Sequence, residues 1–155
     1  MSDYEYSPND PHKTQGPPRN LLPHVLEFCR KISPETPFFI RATPDIDGVQ
    51  LDCVNIVRRR VQKDGGEAVL GWQIWEWYGV MIEAEFHMLW RQPDGQLRDV
   101  TPKPHGFDRD LFLPDQTLVY KERQIDNIRA PLIDDPRVME FVWLAEEEFE
   151  ILNVD

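Results

Sequence analysis

Three side chains in the middle of the chain are of the types that thiol-dependent acyl transfer requires. Cys53 is a candidate nucleophile, His87 a candidate base, and Asp99 a carboxylate that could orient the imidazole ring. A thiol at a helix N-terminus beside an imidazolium can have a pKa of roughly 3.5–7.5, so that it is a thiolate at neutral pH. Together the three residues predict a nucleophile, a base and an orienting acid.

Cys53 lies on a segment with helical periodicity. Apolar residues recur at helical spacing over 49–63, Asp47 is a suitable cap, and Gly65 and Gly66 are suitable terminating residues. The pattern predicts a helix that carries Cys53 in its first half. Because Cys53 belongs to the apolar stripe of this helix, the alternative is that it is a small core residue without chemistry.

His87 and Asp99 lie on segments that alternate as strands do. Every second residue over 80–90 is apolar, which predicts a strand with one buried face and an opposite face that carries His87. Asp94 and Gly95 predict a hairpin turn, after which Asp99 could reach the imidazole from the neighbouring strand. Such a carboxylate would fix the imidazole tautomer. The alternative is that this face is simply exposed to solvent.

The rest of the chain predicts one α+β domain. Other periodic segments are the helices that begin near Asn20 and Pro136 and the strands 68–74, 97–101, 111–113 and 118–121. The expected fold is an antiparallel sheet packed against the helix that carries Cys53 and against the C-terminal helix. Residues 1–19 hold four prolines among polar residues and are expected to form a flexible arm, with the domain spanning 20–155.

Composition excludes several classes of partner. The 155 residues include 28 acidic and 17 basic side chains, and the net charge is −11. Phosphate backbones and anionic membranes would repel such a chain, so neither nucleic acid nor membrane is an expected partner. There is no signal-peptide pattern, and the two cysteines lack metal-ligand spacing. These features predict a soluble cytoplasmic protein with reduced thiols and no cofactor.

Two short motifs follow the cysteine. His87-Met-Leu-Trp90 lies 34 residues after Cys53, and Asp99-Val-Thr-Pro102 follows after a turn at Gly95. Over residues 47–102 this arrangement resembles the transglutaminase-like group of papain-type cysteine enzymes. In that group a helix with the cysteine precedes a glycine-containing connection and then the strands with histidine and aspartate. The chain departs from the group's pattern at the residue before the cysteine, which is an aspartate rather than a small residue, and in the spacing of the aromatic after the histidine.

The resemblance implies acyl transfer on a peptide or protein substrate, as amide hydrolysis, deamidation or transamidation. Cys53 would attack the carbonyl while His87 takes the thiol proton and later returns one. The backbone N–H of Cys53 would be one oxyanion donor, and Gln50 is the candidate for the second.

Aromatic and acidic side chains near the motifs are candidates for substrate binding. They are Trp72, Trp90 and Glu85. Exposed tryptophans equally suit a second hypothesis, a catalytically silent interaction or regulatory module.

A metal site is a third possibility. It would use Glu83, Glu85, His87 and Asp99 as ligands. Because no second histidine is near in the sequence, no metal is predicted.

Overall fold

A computed structural model describes residues 14–103 and 106–154 of the chain. The elements, in chain order, are β1 (Gln15–Gly16), α1 (Pro23–Ile32), β2 (Phe38–Arg41), α2 (Cys53–Asp64), β3 (Glu67–Trp77), β4 (Met81–Arg91), β5 (Leu97–Arg98), β6 (Arg109–Pro114), β7 (Ile128–Pro131) and α3 (Pro136–Leu152). The predicted α+β class is confirmed, because the strands form an antiparallel sheet packed with helices. No described helix is long and apolar enough to cross a membrane.

The long hairpin of β3 and β4 is the centre of the sheet. The strand order is β2-β6-β3-β4-β5, with β1 paired to β3 and β7 paired to β4. On its outer edge β4 pairs with β7 through residues 81–84 and with β5 through residues 90 and 91. Between these pairs, residues 85–89 of β4 have no strand partner on that edge in the described part of the chain. His87 lies in this open stretch.

The two faces of the hairpin have different surroundings. On one face α1 and α2 pack over two hydrophobic clusters, the first around Val25 and Trp72 and the second around Ile56 and Met88. Val25 and Ile56 are fully buried, and each contributes about 1.5–3 kcal/mol to folding by its burial. The opposite face carries His87, because side chains alternate along a strand.

Helix α2 begins later than the sequence predicts. The periodic segment 49–63 suggests a helix from Val49, but Leu51 has a left-handed backbone with φ of 65° and the helix starts at Cys53. Val49 and Leu51 are exposed. The cysteine is therefore the first residue of the helix rather than a residue within it.

Other boundaries also differ from the predictions. Helix α1 starts at Pro23 rather than near Asn20, since proline is well suited to a first helical position. The predicted strand 118–121 does not form, whereas β7 forms where none was predicted. Only the first two residues of the predicted strand 97–101 pair as a strand.

Part of the predicted arm is held against the sheet. Gln15 and Gly16 pair with the end of β3, and the Tyr78 hydroxyl donates to the Pro17 carbonyl at 3.0 Å. The prediction of a flexible arm is therefore wrong for residues 14–19, because backbone and side-chain hydrogen bonds fix them. Residues 1–13 lie outside the described residues.

Substitution of Gly71 by alanine should destabilise the fold. Gly71 lies opposite His87, and a Cβ there would meet the Leu113 carbonyl oxygen at 2.3 Å and the Phe112 ring at 2.5 Å. Since the nearest atom belongs to the backbone of a paired strand, we expect a loss of about 3 kcal/mol in the free energy of unfolding, the upper end for overpacking. Urea denaturation followed by tryptophan fluorescence measures this loss.

Gly95→Ala is the matched control for this substitution. The space beside Gly95 is open, and its φ of 90° costs an alanine only about 1–2 kcal/mol of backbone strain. A loss for Gly71→Ala no larger than that of the control would contradict the packing described here.

Candidate active site

The predicted contact between His87 and Asp99 is present. His87 Nε2 lies 3.1 Å from both carboxylate oxygens of Asp99, and both side chains are buried. Asp99 directly follows β5, and its backbone carbonyl accepts a hydrogen bond from the Thr43 N–H at 2.8 Å. Asp99 Oδ1 also accepts from the Thr101 N–H at 3.3 Å. These two hydrogen bonds hold the Asp99 carboxylate in position beside the imidazole.

Two further charged residues, which the sequence analysis missed, complete this cluster. Lys103 Nζ lies 2.6 Å from Asp99 Oδ2 and 3.2 Å from His87 Nε2, and it forms an ion pair with Asp110. It also donates to Gln73 Oε1 at 3.4 Å. Asp110 Oδ2 is 3.8 Å from His87 Nε2. The histidine is therefore surrounded by two carboxylates and an ammonium group.

Burial and mutual contact set the charges within this cluster. Burial, assisted by a hydrogen bond with Asp99, raises the pKa of Asp110 to about 8. Burial opposes ionisation of Asp99 as well, but His87, Asp110 and Lys103 together hold the pKa of Asp99 below its ordinary value. Burial lowers the pKa of His87 and outweighs the opposite effect of Asp99. At neutral pH the cluster accordingly holds one ammonium, one carboxylate, one carboxylic acid and one neutral imidazole.

Cys53 lies beside this cluster with a neutral thiol. It is 8% exposed and lines the same cavity as His87. Burial raises the pKa of the Cys53 thiol to about 11, although a hydrogen bond from the Met88 backbone lowers it. The expected thiolate is therefore not present, because the surroundings are dry and His87 carries no charge. The hydrogen-bond partner of the sulfur is the backbone of β4 and not the imidazole.

The cavity shared by these residues has a volume of about 200 Å³. Since a water molecule occupies about 30 Å³ of liquid, this volume suits one amino-acid side chain. Thr101 Oγ1 is buried and has no hydrogen-bond partner among the described residues. The lining residues are Gln15, Leu51, Cys53, Gln73, Trp75, Glu83, Glu85, Phe86, His87, Thr101, Pro102 and Lys103. The cavity therefore combines apolar walls with several polar groups.

Two of the predicted substrate-binding residues belong to the core instead. Trp72 and Trp90 are buried in the two hydrophobic clusters, and their indole N–H groups donate to Asp115 and to the Gly65 carbonyl, each at 2.9 Å. Their burial contradicts a role in a substrate groove. Trp75, whose side chain lies on the other face of β3, lines the cavity.

The structure places the predicted oxyanion donor, Gln50, and the third predicted binding residue, Glu85, differently. Gln50 is exposed, its side chain reaches the Lys103 carbonyl at 3.5 Å, and it does not line the cavity. Gln73 lines the cavity instead. Glu85 also lines it, and burial, with the nearby charge of Glu83, raises the pKa of Glu85.

The cluster has the donor atoms of a metal site, but it already contains a cation. Ligand atoms of His87, Asp99 and Asp110 lie within 4.8 Å of one another. The Lys103 ammonium contacts both carboxylates and so takes the place where a cation would bind. This group does not include the two glutamates of the set considered from the sequence.

Comparison with protein-family models, curated proteins and solved structures finds no match for this chain.

Replacement of Asp110 by asparagine should change how stability depends on pH. The folded-state pKa of Asp110 is about 8, against 3.8 ordinarily, so the stabilisation associated with its bound proton is fully present below pH 3.8 and is lost as the pH rises towards 8. Asparagine does not titrate. The free energy of unfolding of Asp110→Asn relative to wild type should therefore rise between pH 5 and 8, by at most about 1.4 kcal/mol per pH unit.

Urea denaturation at intervals of one pH unit measures this difference. Asp134→Asn, at an exposed position outside the cluster, is the control. A difference for Asp110→Asn no steeper with pH than that of the control would show that Asp110 is ionised throughout, contrary to the charges assigned to the cluster.

Proposed function

We propose that the protein is a cysteine-dependent acyl-transfer enzyme in which Cys53 is the nucleophile and His87 the base. One observation carries this proposal: Cys53, the first residue of α2, lines the same cavity as His87, whose Nε2 is held by the buried Asp99. The resemblance to the transglutaminase-like group remains part of the proposal. It supports the roles of the three residues but is independent of the contacts around them.

The reaction starts from a neutral thiol and a neutral imidazole. As the Cys53 sulfur forms a bond to the substrate carbonyl carbon, His87 takes the thiol proton and becomes an imidazolium that Asp99 stabilises. The imidazolium then protonates the leaving amine as the carbon–nitrogen bond breaks. The thioester that remains is cleaved by water or by an amine, which restores the thiol.

Two groups at the cavity could stabilise the oxyanion. The N–H of Cys53 lies in the first turn of α2, where the helix itself provides no acceptor. Gln73 takes the place expected for Gln50: its Oε1 accepts from Lys103, which leaves the amide hydrogens for a substrate oxygen.

The backbone beside the nucleophile is strained. Leu51 lines the cavity and has the left-handed φ of 65°, a conformation that costs a leucine about 1–2 kcal/mol. Such strain is concentrated at functional sites, where the surrounding structure maintains it. This supports a catalytic rather than a purely structural role for the turn before Cys53.

The substrate class follows from the cavity's size and lining. A volume of about 200 Å³ with walls formed by Trp75 and Phe86 fits one side chain of a peptide or protein. We further propose a cytoplasmic location, since Cys29 and Cys53 are both free thiols.

One observation favours the alternative of a catalytically silent interaction module. Helix α3 buries none of its side chains, and Phe141, Trp143 and Leu144 on it are about half exposed. This apolar surface is formed by α3 and not by Trp72 and Trp90, the tryptophans expected to be exposed. A test of acylation at Cys53 separates the two functions.

The acylation test uses 4-nitrophenyl acetate and peptide mapping by mass spectrometry. We expect the acetyl group to transfer to the Cys53 sulfur with release of 4-nitrophenolate. Cys29 is an internal control, because burial also raises its pKa to about 11 but it does not line the cavity with His87. His87→Asn should slow acylation of Cys53 at least about 100-fold, the lower limit for loss of a general base.

Circular dichroism verifies that the His87→Asn variant is folded. Acylation of Cys53 no faster than that of Cys29, or an unchanged rate in folded His87→Asn, would favour the interaction module.

A further inference from the structure

The buried ammonium of Lys103 has no part in the reaction as described above. Its side chain is 3% exposed. Lysine is almost never buried to this extent without partners, because an unpaired buried charge is very costly. Here Lys103 forms ion pairs with Asp99 and Asp110, donates a hydrogen bond to Gln73 and lies 3.2 Å from His87 Nε2.

The same carboxylates face the base. His87 Nε2 lies 3.1 Å from Asp99 and 3.8 Å from Asp110. A carboxylate within about 4–6 Å favours the protonated form of a histidine, by about 1–3 pH units. With the ionised Asp99 this close and no cation beside it, His87 would be held as an imidazolium, which cannot accept the proton of Cys53.

The hydrogen bonds of Nε2 are consistent with a neutral ring that still has one usable nitrogen. Nε2 is equidistant from both oxygens of Asp99, so a proton on Nε2 is attracted by the carboxylate, whereas a bare lone pair would be repelled. Lys103 Nζ is also within hydrogen-bond distance of Nε2, at 3.2 Å, but its contacts with the oxygens of Asp99 and Asp110 are shorter, so the carboxylates attract the ammonium hydrogens more strongly than Nε2 does. The remaining ring nitrogen, Nδ1, is then the acceptor for the thiol proton.

We propose that Lys103 is a positioning residue that keeps His87 neutral, because its ammonium compensates the charge of the ionised Asp99 beside the ring and so adds to the effect of burial. This inference rests on the proposed function, because a neutral His87 is important for catalysis only if His87 is the base. The charged and titratable groups that surround the site in the described residues are Cys53 from α2, Glu83 and Glu85 from β4, Asp99, Lys103, and Asp110 from β6. Arg129 of β7 pairs with Glu83 at 3.6 Å, and Lys103 is the only cation of the described residues that contacts His87.

Nitrogen NMR of the imidazole rings in the full-length protein tests this inference directly. In wild type we expect His87 to be neutral, with its proton on Nε2, down to pH values below the ordinary 6.5. In Lys103→Met the protonation midpoint of His87 should rise by about 1–3 pH units. Lys121→Met, at an exposed position, is the control and should leave His87 unchanged.

A second variant covers the case in which Lys103→Met does not fold. The double variant Lys103→Met/Asp99→Asn removes one charge of each sign, so it leaves no unpaired carboxylate and should return His87 to the neutral form. An imidazolium at pH 7 in wild type would overturn the proposal, and so would an unshifted His87 in Lys103→Met or a protonated His87 in the double variant.

The NMR result is independent of catalysis. If Cys53 fails to be acylated while His87 shifts as expected, the proposed function is wrong and the role of Lys103 in controlling the charge of His87 stands. If acylation occurs, its low-pH limit should move upward in Lys103→Met together with the His87 midpoint. A purely structural role for Lys103 would lower stability without moving either midpoint.

Discussion

The Lys103 ammonium, buried between two carboxylates and against an imidazole, is the interaction on which the candidate site depends. Without it, the buried charge of ionised Asp99 would have no cationic partner other than a protonated His87. With it, one carboxylate is ionised, the other retains a proton and His87 is neutral. The cluster joins three separate parts of the chain, namely β4, the segment after β5, and β6. It therefore holds these segments of the sheet together and also determines the protonation state of His87.

Cys53 reaches this cluster from the opposite face of the sheet. Helix α2 packs on the face opposite to His87, yet its first residue lies at the edge of β4, where residues 85–89 have no neighbouring strand. There the Met88 backbone donates a hydrogen bond to the Cys53 sulfur. This gap in strand pairing allows the proposed nucleophile on one face and the proposed base on the other to line a single cavity. A continuous edge strand at this position would separate them.

Part of this site could be predicted from the sequence because local periodicity determines it. Alternation along β4 and a hairpin turn placed Asp99 beside His87, and both interpretations needed only short-range rules. The start of α2 was misplaced because the helical spacing of apolar residues continues through a turn in which Leu51 adopts a left-handed backbone. Lys103 was missed because a lysine between prolines predicts a surface loop, and only long-range contacts with Asp110 and Gln73 show that it is buried. Trp72 and Trp90 were misassigned because an aromatic residue on a strand fits a core as well as a groove.

The proposed function requires Cys53 and His87 to act on one substrate carbonyl. The most direct test is a crystal structure of the protein with a peptide aldehyde, whose carbonyl carbon can accept a thiol to form a hemithioacetal. We expect a covalent bond from the Cys53 sulfur to that carbon, with His87 Nδ1 within hydrogen-bond distance of the adduct and Nε2 still bound to Asp99. The absence of a bond between the aldehyde and Cys53, or an adduct beyond hydrogen-bond distance of the His87 imidazole, would contradict the proposed function.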